Sequence, residues 1–297
     1  MRENKLFIIC PCYNEEAILK NSIEKLTELM DSLVKDRLIS RDSKIICVDD
    51  GSKDKTWDII EEISVENNYV RGIKLSRNFG QYSALMAGYM HAKKFADFCI
   101  SLDVDLQDDI TVIPDMVKKY LNGCEVVLAI RNDRSNDSFM KKVTAEMYYG
   151  TLKLLGVKMI KEHPDYRLLS KKALAAMEQY EDNDVYIRSI VPRLGFKTDT
   201  VSFKRQKREA GTTKYNYIKL IQIAIKGIVK SSNTLLLFPI LPIIVTILGM
   251  FIHIKVEVYW CLLFMCILCY GFYIGDIKTQ AHNAPNYTIE KITKDRM

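Results

Sequence analysis

The residues Asp103-Val104-Asp105-Leu106-Gln107-Asp108-Asp109 follow directly on the apolar run Phe98-Cys99-Ile100. Two carboxylates one residue apart at the end of a strand are expected on one face, because strand side chains alternate. Such a pair offers hard oxygen donors to a divalent cation that can hold a diphosphate at the same time. The same residues also suit a solvated turn or a helix cap. Three other polar clusters follow apolar runs in the same way: Pro11-Cys12-Tyr13-Asn14-Glu15-Glu16, Val48-Asp49-Asp50-Gly51-Ser52 and Ser76-Arg77-Asn78-Phe79-Gly80.

The elements that must position these clusters can be read from periodicity. Apolar runs at 6–10, 44–48, 72–75, 98–102 and 126–129 predict strands. Helical spacing at 18–33, 56–64, 82–96 and 113–121 predicts the helices between them. Strands alternating with helices at this spacing imply an α/β fold with an open, mainly parallel sheet. Ligands of such sheets lie beyond the carboxyl ends of the strands, where all four polar clusters stand.

After Arg131 the pattern changes. Residues 139–155 predict an amphipathic helix, 163–167 a polar loop, and 171–178 and 185–194 two more helices, the last ending at Gly195. Lys204, Arg205, Lys207, Arg208, Lys214, Lys219, Lys226 and Lys230 form a basic stretch whose only acid is Glu209. It precedes the most apolar part of the chain and reads as a membrane-surface or phosphate-binding segment. Residues 215–229 have the spacing of a helix in the membrane interface; an ordinary surface helix has the same pattern. Residues 231–254 and 258–275 carry no charge and predict two transmembrane helices joined at Lys255-Val256-Glu257, with Pro239 and Pro242 kinking the first. A pair of soluble core helices is the alternative. Lysines flank the entry and exit, so the positive-inside bias places both termini in the cytoplasm.

Composition narrows the function classes. The chain has 297 residues and a formal net charge of +6. The eight cysteines sit in or beside apolar runs, and Cys266-x-x-Cys269 lacks a second pair, so neither a disulfide framework nor a zinc site is expected. Buried reduced thiols suit a cytoplasmic catalytic part. The first apolar run is too short for a secretory signal. No helix-turn-helix, zinc or RNA-binding signature points to nucleic acid.

The four polar clusters, in this order, resemble the motifs of family 2 glycosyltransferases with the GT-A fold. Asp165-Tyr166-Arg167-Leu168-Leu169 and Arg208-Glu209-Ala210-Gly211-Thr212-Thr213-Lys214-Tyr215 resemble the later motifs of one branch, the polyprenyl-phosphate glycosyltransferases. That branch includes dolichol-phosphate mannosyltransferases and the bacterial enzymes that glycosylate undecaprenyl phosphate; the two-span hairpin is similar to the bacterial ones. Each motif alone is modest, but six in order are very specific, and with the hairpin the resemblance covers nearly the whole chain.

The resemblance implies a GT-A domain over 1–214, a juxtamembrane amphipathic helix over 215–230, two transmembrane helices over 231–275 and a cytoplasmic tail over 276–297. It implies an inverting transfer of one sugar from a nucleotide diphosphate sugar, uridine-linked by analogy, to a polyprenyl phosphate on the cytoplasmic membrane face. Pro11, Tyr13, Asn14, Glu15, Val48, Asp50, Asp103, Val104 and Arg131 match nucleotide-sugar contacts. Asp103, Asp105 and Gln107 match the set that holds Mg²⁺ or Mn²⁺. Asp105, Asp165, Arg131, Arg208 and Lys214 match the catalytic group, the last two as a basic pair on a loop that Gly211 makes mobile. Arginine suits a phosphate through a bidentate fork and lysine as a point charge. Asp165 matches a residue often given a base role. A phosphate monoester with a second pKa of about 6 is already an anion at neutral pH, so Asp165 can instead orient the sugar or Arg167. The second hydrophobic segment could also pack against a second copy of the chain.

Three rivals fit less well. A processive polysaccharide synthase carries a Gln-x-x-Arg-Trp motif, and neither Trp57 nor Trp260 stands in one. A catalytically dead membrane scaffold would not need Asp103, Asp105, Gln107, Arg131, Arg208 and Lys214 all intact. A nucleotide oxidoreductase is disfavoured because no Gly-x-Gly-x-x-Gly follows the first strand.

Overall fold

The computed structural model describes residues 3–131, 165–179, 187–204 and 287–293, together with the separate helical positions Val258, Trp260, Cys261, Phe264, Ile267, Leu268 and Gly271. The chain divides into two compact units. The first comprises Met1–Asp137, Ile160–Thr212 and Pro285–Met297; the second comprises Ser138–Met159 and Thr213–Ala284.

The first unit is built on β1 (Leu6–Cys12), α1 (Leu19–Lys35), β2 (Lys44–Asp49), α2 (Thr56–Glu66), β3 (Val70–Leu75), α3 (Gln81–Phe95), β4 (Phe98–Ser101), α4 (Ile113–Leu121), β5 (Val126–Arg131), β6 (Arg167–Ser170), α5 (Lys171–Glu178), α6 (Ile187–Ile190), β7 (Thr198–Phe203) and β8 (Ile289–Ile292). The eight strands form one sheet in the order β7-β5-β6-β4-β1-β2-β3-β8. β1 pairs in parallel with β2 and β4, and β2 with β3. β6 runs antiparallel between β4 and β5, and β8 antiparallel to β3. The sheet is therefore mainly parallel, as expected, with two reversed strands.

The central strands are apolar on both faces because helices cover both. One core lies under α1, α2 and α4 and includes Ile8, Leu26, Ile45, Ile60, Phe98 and Met116. The other lies under α3 and α5 and includes Ile9, Ile46, Leu85, Tyr89, Leu128 and Leu174. α3 lies very close to the sheet because of Gly88, where a Cβ would come within 2.3 Å of Ile9 Cγ2. Burial raises the thiol of Cys10 well above its ordinary range, so it is a packing residue.

The strands and helices predicted up to Arg131 are all present. Three later strands were not foreseen. In β6 the charged Arg167 leads a run of four residues, all buried, which reads in sequence as the end of a polar loop. β7 turns only Val201 and Phe203 inward, as an edge strand does. β8 lies within the segment expected as a tail, and its side chains are exposed. The helix expected over 185–194 is α6 followed by a 3-10 turn at Val191–Arg193, where Pro192 lacks the amide that an α-helix would use.

The helix expected at 139–155, the amphipathic segment 215–229 and almost all of the hairpin at 231–275 lie outside the described residues. Among the described residues, no helix is long and apolar enough to cross a membrane. In the second unit, Trp260, Phe264, Ile267 and Leu268 recur at helical spacing and are exposed.

Candidate functional site

Because β1 to β4 are parallel, the loops that follow them leave the same edge of the sheet. β5 runs the same way, and β6 enters from that edge. Arg167 pairs in register with Ser101 and Leu128, so the Asp165-Tyr166 approach to β6 lies beside the ends of β4 and β5.

The first two loops are tied by main-chain amides on side-chain oxygens. Asn14 N donates to Ser52 Oγ at 2.9 Å, and Lys53 N returns a bond to Asn14 Oδ1 at 2.9 Å. Glu15 N donates to Thr56 Oγ1 at 2.8 Å, and Lys55 N to Glu16 Oε2 at 3.0 Å. Asn14 takes a left-handed φ of 52°, which asparagine tolerates and which turns the loop back over the second one. Tyr13 and Glu15 remain partly accessible on this framework.

Asp50 ties the second loop to the third. Phe79 N donates to its Oδ1 at 2.7 Å and Gly80 N to its Oδ2 at 2.9 Å. Only 3% of Asp50 is exposed, and burial raises its carboxyl above the ordinary value against the pull of these two amides. The neighbouring Asp49 is fully buried and raised for the same reason, while Ser52 N donates to its Oδ1 at 3.2 Å. Gly51, at φ 66°, packs against the third loop so closely that a Cβ would stand 2.4 Å from the Arg77 carbonyl carbon. In that loop the Arg77 guanidinium lies 3.9 Å from the centre of the Phe79 ring.

The acidic cluster is a turn. β4 ends at Ser101, Leu106 N donates to Asp103 O at 3.1 Å, and Leu106 has a φ of 46°. Asp103 and Asp105 therefore stand beyond the strand, and the alternation expected to align them does not extend that far. A contact from α3 orients the first of them instead: Gln81 Nε2 donates to Asp103 Oδ1 at 2.8 Å. Gln107 N donates to Asp105 Oδ1 at 3.3 Å. Asp103, Asp105 and Gln107 are all half-buried on this one turn, a set of hard oxygen donors. Among the described residues, no three His, Cys, Asp or Glu converge as metal ligands. Such a sparse set fits Mg²⁺ or Mn²⁺, which leave positions for diphosphate oxygens.

Behind the turn, Tyr89 OH donates to Ser101 Oγ at 2.7 Å, and Ser101 Oγ donates to the Asp165 carbonyl at 2.5 Å. The Asp165 carboxylate makes an ion pair with Arg167, and both residues are buried. Tyr166 OH reaches Asp109 O at 3.1 Å, tying the approach to β6 to the far end of the acidic turn. Arg131 closes β5; its Nε is buried and meets no acceptor among the described residues.

The fold thus brings Tyr13, Asn14, Glu15, Asp50, Asp103, Asp105, Gln107, Arg131 and Asp165 to one edge of the sheet. Pro11 lies within β1, partly accessible. The side chains of Val48 and Val104 are in the core. Arg208 and Lys214 lie outside the described residues. The roles of Gln81, Ser101 and Tyr89 were not read from the sequence. Each acts through a partner 12 to 64 residues away, with no local motif to mark it.

A family model described as Glycosyl transferase family 2 matches residues 7–177. The chain is 44% identical over 227 residues to Uncharacterized glycosyltransferase YkoT of Bacillus subtilis (strain 168), covering 76% of this chain and 67% of that protein. It is 35% identical over 230 residues to a Prophage bactoprenol glucosyl transferase homolog of Escherichia coli (strain K12), covering 77% and 72%. Among solved structures, a mannosyltransferase from Pyrobaculum calidifontis, in complex with GDP-Man and Mn²⁺, shares the fold. Its TM-score is 0.51 at 13% identity, covering 77% of this chain and 63% of that one. With its four polar loops at one edge of a mainly parallel sheet, the chain belongs to glycosyl transferase family 2.

Proposed function

We propose that this protein transfers one sugar, with inversion, from a nucleotide diphosphate sugar to the phosphate of a polyprenyl lipid at the cytoplasmic face of a membrane. UDP-sugar is the donor we favour and undecaprenyl phosphate the acceptor. The observation that carries the reading is the Asp103–Gln107 turn, held at the sheet edge where the loops after β1, β2 and β3 converge. The bactoprenol glucosyl transferase relatives support the lipid acceptor.

In this reading, the loops after β1 and β2 hold the nucleoside through Pro11, Tyr13, Asn14 and Glu15. Asp50 shapes that pocket through the main chain of Phe79 and Gly80. Asp103, Asp105 and Gln107 would hold Mg²⁺ or Mn²⁺, which when bound offsets the charge that develops on the departing nucleoside diphosphate. Arg131, Arg208 and Lys214 add cationic donors for the phosphates. The acceptor phosphate, ionised at neutral pH, attacks the anomeric carbon without a base. Asp165 is then a positioning group, since its carboxylate is engaged by Arg167.

We assign residues 1–214 to catalysis, 215–230 to an interfacial helix and 231–275 to a two-helix hairpin. The exposed apolar positions Trp260, Phe264, Ile267 and Leu268 favour lipid contact. The path of the chain supports an even number of crossings. β7 ends at Phe203 and β8 begins at Ile289 in the same sheet, so the two ends of the intervening segment share one side of any membrane it crosses.

The experiment is a panel of labelled nucleotide-sugars incubated with membranes containing the protein and added undecaprenyl phosphate. Label in the lipid extract with one donor is the expected result. Label entering only a long polysaccharide, or no lipid product with any donor, would reject the proposal.

A further inference from the structure

We propose that Gln81 is a positioning residue that fixes the orientation of Asp103 for cation and diphosphate binding. This rests on the function proposed above. Gln81 is the first residue of α3, directly after Gly80. Its main chain is placed from the loop after β2, because Asp50 accepts the amides of Phe79 and Gly80 at 2.7 and 2.9 Å. From that anchored start its side-chain amide reaches 22 residues along the chain to Asp103 Oδ1 at 2.8 Å. Eight residues further along the helix, Tyr89 OH meets Ser101 Oγ at 2.7 Å, two residues before Asp103. α3 therefore grips the end of β4 and the turn after it at two points. The close approach at Gly88 keeps the helix tight against the sheet.

The chemistry of the donor matters. A neutral amide orients a carboxylate and leaves its charge available to a cation. A lysine in its place would compete with the cation, and a glutamate would repel Asp103. Groups that orient metal ligands in this way cost about 10–100-fold in metal affinity when removed.

The test uses the full-length purified protein, UDP and Mn²⁺ without acceptor, with bound Mn²⁺ read from the loss of the free-ion paramagnetic resonance signal. Gln81→Leu is expected to weaken Mn²⁺ binding about tenfold with an unchanged melting temperature. Gln81→Met, a flexible isostere unable to donate, should weaken it equally and serves if the leucine variant folds poorly. Wild-type affinity in a folded Gln81 variant would overturn the positioning role while the metal assignment stands. No Mn²⁺ binding by the wild-type protein with UDP would overturn the metal assignment, and the positioning role with it.

Discussion

The loops after β1, β2 and β3 and the approach to β6 share one edge of the sheet but are held in opposite ways. The loops are fastened by main-chain amides donating to Ser52, Thr56, Glu16 and Asp50, with Tyr13 and Glu15 left accessible. The approach to β6 is fastened by buried side chains: the Asp165–Arg167 ion pair, and Ser101, which accepts from Tyr89 of α3 and donates to the Asp165 carbonyl. In the loops, hydrogen bonding sets shape at the surface, so a substitution there should alter ligand affinity more than folding. At β6 a charge pair is enclosed, so a substitution should alter folding first.

The largest expected effect tests the buried side. Arg167→Met leaves the Asp165 carboxylate enclosed without its counter-charge and should cost about 3–5 kcal/mol in denaturant unfolding. Replacing both, Asp165→Leu with Arg167→Met, should recover most of that. A single variant as stable as the wild type would remove the distinction between the two regions. Gly51→Ala tests the loop side. It forces a side chain into a left-handed position against the Arg77 main chain, for about 1–3 kcal/mol, and shifts the third loop. Nucleotide affinity, measured by calorimetry, should fall by more than the melting temperature alone suggests.

The smallest effect is in pH dependence. Asp49 and Asp50 have folded pKa values raised by burial, so the folded state binds protons more readily than the unfolded chain. Their contribution therefore improves as pH falls from neutral through the folded pKa values towards the ordinary carboxylate range, and is lost again as pH rises. Asp49→Asn keeps an oxygen for Ser52 N and should flatten that part of the stability curve. An unchanged curve would show that Asp49 bears no such penalty.

The difference between the regions also explains what the sequence revealed. Each loop of the first region is one contiguous run after a strand, so Pro11 to Glu16, Asp49 to Ser52 and Ser76 to Gly80 could be read directly. The second region depends on insertion of β6 between β4 and β5, across a long separation in sequence. Arg167 looks like a loop residue until the strands on both sides enclose it. The Asp103–Asp105 pair is legible by its chemistry, but a turn and Gln81, not strand alternation, provide its alignment. β8 was missed because Ile289-Glu290-Lys291-Ile292 has no inward apolar face; its support is the edge of β3, where Gly72 N donates to Thr293 Oγ1 at 2.9 Å. The hairpin should accordingly be tested by replacing residues 231–275, since a chain ended at 230 would lose β8 as well.

The most direct measurement compares wild-type protein with Asp105→Asn in detergent, supplied with the UDP-sugar selected by the donor panel, undecaprenyl phosphate and Mg²⁺ or Mn²⁺. Lipid-linked sugar should form with the wild type and fall by about 100-fold or more in the variant at an unchanged melting temperature, as for loss of a charge-stabilising group in the transition state. Equal product from both proteins would contradict the assignment of the acidic turn as the transfer centre.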